Sequence, residues 1–127
     1  MTDERYKEKL TPEAFAVCRL AATERPFTGK YNDHWLAGNY HCACCECPLF
    51  SSETKFNAGC GWPSFYDCLA DNVKYLEDLT HNMVRVEIQC KHCDSHLGHV
   101  FDDGPAPTGK RYCVNSLSLV FEHDLAG

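Results

Sequence analysis

Ten of the 127 residues are cysteine, and their spacing is the first chemical signal in the chain. Two C-x-x-C units stand out: Cys90-Lys-His-Cys93, and one within Cys42-Ala-Cys-Cys-Glu-Cys47. Four thiolates at about 2.3 Å close a tetrahedral zinc site, and two such units brought together are the usual source of them. The other readings of the four thiols are a thioredoxin-like redox pair or buried free cysteines. The first unit has two registers, Cys42/Cys45 and Cys44/Cys47, and spacing alone does not choose between them. The units lie much further apart than the roughly 15–20 residues of a compact zinc ribbon. The metal is therefore expected to tie distant hairpins together.

Two further cysteines have distinctive surroundings. Cys113 sits in Arg111-Tyr-Cys-Val-Asn115, where strand alternation puts Arg111, Cys113 and Asn115 on one face. A guanidinium on that face favours a thiolate. Cys60 sits between two glycines in Gly59-Cys-Gly-Trp-Pro63, which suits a mobile loop. A strand thiol and a loop thiol that swings in make a plausible exchanging pair; the bland reading of each is a small buried hydrophobe. His96 and His99 follow the second C-x-x-C. On a regular strand they face opposite sides, but a bend at Gly98 brings both to one site. Extra metal ligands or core histidines are the alternatives. Trp62 is either core or the wall of a pocket for a methyl thioether.

These residues need a scaffold, and the pattern around them is mainly β. Thr11 can cap a helix that begins at Pro12, with Glu13 in its first turn, Phe15, Val17 and Cys18 on it, and its end before Thr23. Val73 and Tyr75 start a strand that joins Val84-Arg-Val-Glu-Ile88 through Thr80–Met83, with Asn82 as the turn residue. Val84, Val86 and Ile88 are expected on one face. Arg111–Phe121 reads as the longest strand. There is no internal repeat, low-complexity stretch or linker.

The length fits one domain, and 44% hydrophobic with 24% charged residues is ordinary globular composition. A formal charge of −6 argues against a nucleic-acid or anionic-membrane partner. The longest apolar runs are far shorter than a membrane span. The charged start, Met1–Lys9, is unlike a secretory signal, so a reducing cytoplasm is the expected location.

Three separated motifs then coincide: Gly59-Cys-Gly-Trp-Pro-Ser-Phe65, Cys90-x-x-Cys-x-x-His-Leu-Gly-His-Val-Phe101 and Arg111-Tyr-Cys-Val-Asn-Ser116. Together they resemble the methionine-R-sulfoxide reductases of the B type, over nearly the whole chain. The resemblance implies two antiparallel sheets in a tent-like arrangement with short N-terminal helices. It implies a single domain over 1–127, with a helical arm at 1–25 and a tail at 124–127. The family pattern falls on Tyr40-His-Cys-Ala-Cys-Cys-Glu-Cys-Pro-Leu-Phe50, so Cys42, Cys45, Cys90 and Cys93 are implied as ligands of one structural zinc. Cys18, Cys44, Cys47 and Cys68 are additions to the pattern. Cys113 takes the nucleophile's position and Cys60 that of the resolving thiol. His96, His99, Asn115 and Trp62, with Phe101, take the positions of the methyl sulfoxide pocket. Thioredoxin is the implied reductant, and a monomer is expected. Two rival readings are a Cys-His-Asn thiol peptidase, which has no use for Cys60, and a zinc-stapled binding module, which needs no reactive thiol.

Overall fold

The computed structural model describes residues 8–123 apart from 21, 70–71 and 80–82. The chain enters through helix α1 (Pro12–Leu20), whose first turn is closed by Thr11 Oγ1 accepting from the Ala14 amide at 3.1 Å. Ala14, Val17 and Cys18 are its buried residues, at the spacing of one helical face. The helix stops at Leu20, and the rest of the expected arm, from Ala22 to Arg25, is not helical.

Nine strands follow among the described residues: β1 (Gly38–Cys42), β2 (Pro48–Ser51), β3 (Lys55–Phe56), β4 (Ser64–Phe65), β5 (Val73–Asp78), β6 (Arg85–Cys90), β7 (His96–Phe101), β8 (Arg111–Val114) and β9 (Leu119–His123). They form two antiparallel sheets, ordered β2-β1-β9 and β3-β4-β8-β7-β6-β5. Tyr40, Leu49 and Phe50 of the small sheet are fully buried with Phe65, Ile88, Leu97 and Val114 of the large one. Phe50 stacks on Phe65 with ring centroids 4.5 Å apart, and Tyr40 meets Phe65 edge-on at 5.2 Å. One face of the large sheet is therefore core, and period-two alternation turns every second residue of its strands the other way.

Three expectations change. The single strand expected over Arg111–Phe121 is two strands in different sheets, broken at Asn115 and a 3-10 turn over Ser116–Ser118. The turn lets the chain cross from one sheet to the other, and α1 packs against it. Val84 and Val86 are exposed while Ile88 is buried, so the apolar face of β6 is narrower than the alternation suggests. The Asn82 turn lies outside the described residues. A short internal repeat is also present, as the metal site shows below.

Gly98 decides how closely β7 and β8 approach. It is paired with Val114, and a Cβ there would collide with the Cys113 backbone carbonyl, which cannot rotate away. Gly98→Ala is expected to lose at least about 3 kcal/mol of stability, read as the urea midpoint against wild type.

Candidate active site and metal centre

The sulfurs of Cys42, Cys45, Cys90 and Cys93 all lie within 4.8 Å of one another, with Cys42–Cys93 and Cys45–Cys90 each at 3.5 Å. Tetrahedral thiolates on zinc should sit about 3.8 Å apart, so the donor set and its spacing fit one such ion. Cys44 and Cys47 fall outside the cluster. The register left open by spacing is thus the family register.

The two units are built alike. The residue after the second cysteine, Glu46 or Asp94, has positive φ (66° and 64°), and its amide donates to the carbonyl of Cys42 or Cys90 at 2.9 Å. The amides of Cys42 and Cys90 donate in turn to the carbonyls of Cys47 and Ser95. In each hairpin the register then slips by one residue: Tyr40 pairs with Phe50 but His41 with Pro48, and Ile88 pairs with Gly98 but Gln89 with His96. The skipped residues, Leu49 and Leu97, both sit four places after the second cysteine and are both fully buried. Cys-x-x-Cys-acid-x-x-Leu is therefore an internal repeat of eight residues, one copy in each sheet. It is too short to register as a repeat in the sequence alone.

The slip in β7 answers the histidine question. One extra residue reverses the alternation, so His96 and His99 share a face with ring centroids 5.8 Å apart. That face carries a row of directly opposed residues across four strands: Ser64, Cys113, His99 and Glu87. Each histidine has a carboxylate. His96 Nδ1 lies 2.7 Å from Glu87 Oε2, and His99 Nε2 lies 2.7 Å from Asp78 Oδ2, which also accepts from Arg85 at 3.3 Å. Burial holds the His99 pKa below the ordinary value, against the opposing pull of Asp78. Asp78 and Glu87 were not legible as site residues in the sequence. The usable signal was the polar half of the β6 alternation, Arg85 and Glu87, which reads as solvent-facing until the sheet order is known.

Over this row opens a cleft of about 270 Å³ lined by Cys60, Trp62, His99, Phe101, Arg111 and Cys113, among others. Arg111 is held by Asp103 in a two-pronged pair at 2.8 and 3.1 Å and lies over the Phe101 ring. His96 is buried behind His99 and is not part of the cleft wall. Asn115 reaches the cleft, but its amide is held by backbone: Oδ1 accepts from Glu24 N at 3.0 Å and Nδ2 donates to Leu97 O at 3.0 Å. Glu24 O accepts in turn from Trp62 Nε1 at 3.1 Å. A peptidase-like role for Asn115 as the orienter of a histidine has no counterpart in this geometry, where carboxylates hold both rings.

Cys60 and Cys113 are already in contact, with sulfurs 3.9 Å apart, so the loop thiol has no need to swing. The flanking glycines serve the backbone path: both have positive φ, and Gly61 packs against Pro26 while its carbonyl accepts from the Phe27 amide. The Cys113 hydrogen bond, aided by Ser64, the Trp62 backbone and Arg111, lowers the Cys60 pKa to about 5. The same hydrogen bond and burial push Cys113 up, beyond what Arg111 recovers. Within the pair, Cys60 is therefore the thiol of lower pKa and Cys113 that of higher pKa.

A contacting thiol pair in a cleft, with a histidine beside it, is an arrangement suited to oxidation and reduction. The SelR domain family model matches residues 10–123. The chain is 61% identical to the peptide methionine sulfoxide reductase MsrB of Alteromonas mediterranea over 123 residues, 96% of this chain and 87% of that protein. It is 57% identical to the MsrB of Pseudomonas putida strain W619, over 95% of this chain and 92% of that one. For the MsrB of Thioalkalivibrio sulfidiphilus the identity is 56%, over 96% and 90%. The chain belongs to the MsrB family of methionine sulfoxide reductases.

Two outcomes follow from this geometry. Cys42→Ser and Cys90→Ser should purify without metal and unfold at lower temperature, whereas Cys44→Ser and Cys47→Ser should keep one ion per chain by elemental analysis. Thiolate absorbance of the wild type should show an inflection near pH 5. In Cys113→Ala, which removes the main cause of that depression, the inflection should move up towards the ordinary thiol value of about 8.5.

Proposed function

We propose that this protein reduces the R epimer of methionine sulfoxide, peptide-bound by preference, to methionine, and is recycled by thioredoxin. The observation that carries the reading is the Cys60–Cys113 contact at 3.9 Å inside a cleft walled by Trp62 and Phe101. The apolar wall suits the methyl thioether end of the side chain, and selection of one epimer follows from seating the methyl there while the oxygen points to His99.

In this reading Cys113 attacks the sulfoxide sulfur. His99, its direct cross-strand neighbour, is kept neutral by burial. It takes the Cys113 proton and delivers it to the departing oxygen, while Asp78 supports the transient imidazolium. The thiolate, the sulfoxide and one proton become the Cys113 sulfenic acid and the thioether. The Cys60 thiolate then displaces hydroxide from the Cys113 sulfur, which takes up a proton to leave as water, and a Cys60–Cys113 disulfide remains. An external dithiol reduces that disulfide by exchange, and thioredoxin in the cytoplasm fits the need. A metal held by Cys42, Cys45, Cys90 and Cys93, zinc by the chemistry of four thiolates, would have no open coordination position and would act on the fold. No helix among the described residues is long and apolar enough to cross a membrane.

The test is NADPH consumption with thioredoxin, its reductase and each sulfoxide epimer. Turnover with the R epimer alone is expected. Cys113→Ser should fall below a few per cent of wild type, because an alkoxide is not available at neutral pH. Cys60→Ser should release one methionine per chain and then stop. Turnover of Cys113→Ser near wild type would overturn the assignment of the nucleophile.

A further inference from the structure

Ser64 is a fully buried polar residue inside the site, and the mechanism above leaves it without a task. Strand β4 has two residues, and the burial of Phe65 against Phe50 forces Ser64 to the opposite face. There it is the direct cross-strand neighbour of Cys113. Its Oγ lies 3.4 Å from Cys60 Sγ and 3.2 Å from the Trp62 carbonyl, and that carbonyl lies 3.6 Å from Cys60 Sγ. The three groups form a triangle with one hydroxyl proton to place.

The state of Cys60 decides where the proton goes. While Cys60 is a thiol, its S–H can donate to Ser64 Oγ or to the Trp62 carbonyl, and the serine hydroxyl donates to that carbonyl. Once Cys60 is a thiolate it can only accept, and rotation about one Cβ–Oγ bond turns the serine proton onto the sulfur. No heavy atom has to move. The Trp62 carbonyl cannot take this part, because it has no proton to give.

We propose that Ser64 is a positioning residue for the second half of the reaction: its hydroxyl holds the Cys60 thiolate against Cys113, so that the sulfenic acid closes to the disulfide before it is lost. The proposal rests on the functional reading above. In the step it serves, the Cys60 sulfur bonds to the Cys113 sulfur, the S–O bond of the sulfenic acid breaks, and the leaving hydroxide is protonated to water. Cys60 is oxidised as the Cys113 sulfur is reduced, and the serine proton is lent and not consumed.

Two measurements test it, with Ser64→Ala and Ser64→Thr. The first follows a single turnover without reductant, timing methionine release and disulfide closure separately and trapping sulfenic acid on Cys113 with dimedone. In Ser64→Ala, disulfide closure should slow at least tenfold more than methionine release, with dimedone adduct accumulating on Cys113. Ser64→Thr, which keeps the hydroxyl, should restore closure relative to release. The second follows the Cys60 thiolate by ultraviolet absorbance in a Cys113→Ala background. There Ser64→Ala should raise the inflection pH and Ser64→Thr should not. Equal slowing of both steps, or closure within twofold of wild type relative to release, overturns the proposal, as does an unmoved thiolate inflection. The second measurement uses no substrate. A wild type that reduces no sulfoxide, beside a shifted inflection in Ser64→Ala, would strike the functional reading and leave the serine–thiolate contact standing.

Discussion

The cluster of four thiols joins the two sheets, and the rest of the architecture depends on it. One C-x-x-C unit turns the β1–β2 hairpin of the small sheet and the other turns the β6–β7 hairpin of the large one. Unneutralised thiolates this close would repel by about 4 kcal/mol per pair at an effective dielectric of 20, so the arrangement calls for a cation. Structural zinc contributes about 10–16 kcal/mol in small peptides, against about 5–15 kcal/mol of total stability for a domain. Helix α1 is fastened to the same point, since Arg19 donates to the Cys93 carbonyl at 2.7 Å and to Ser95 Oγ at 3.2 Å.

None of the four clustered cysteines lines the cleft, yet the geometry of their hairpins reaches the cleft residues through the backbone. Each knuckle slips its hairpin by one residue and buries a leucine at the slip. In the small sheet the slip seats Leu49 in the core. In the large sheet it reverses the alternation of β7 between His96 and His99, which places both rings on the face that carries Cys113. A regular hairpin would have sent one of them into the core. The same face gathers Asp78 from β5 and Glu87 from β6, so each imidazole is held by a carboxylate across the sheet and not by its own strand.

At the centre of that face the two sulfurs lie 3.9 Å apart. The contact that lowers the Cys60 pKa raises that of Cys113, so in the proposed reaction the thiol of lower pKa is the one that would close the disulfide. The nearest base by register is His99, kept neutral by burial.

Much of this was legible in residue types and spacing. Two C-x-x-C units, a glycine-flanked cysteine, a second cysteine on a strand with Arg111 and Asn115, and two histidines near a glycine all identify chemistry that depends on local covalent spacing. Period-two alternation likewise showed a β chain, because burial of one sheet face acts residue by residue. Other features depend on contacts between residues distant in sequence. The break at Asn115 was hidden because Arg111–Phe121 alternates well enough for one strand, and only the existence of two sheets demands a crossing. Asp78 and Glu87 looked like solvent-facing carboxylates, since nothing local says which strand lies beside them. The opposite pKa shifts of Cys60 and Cys113 followed from a sulfur–sulfur contact across 53 residues of chain. Local sequence chose the reactive groups; which thiol has the lower pKa, and which carboxylate holds which imidazole, was decided by the pairing of strands, because burial and hydrogen bonding are properties of neighbours in space.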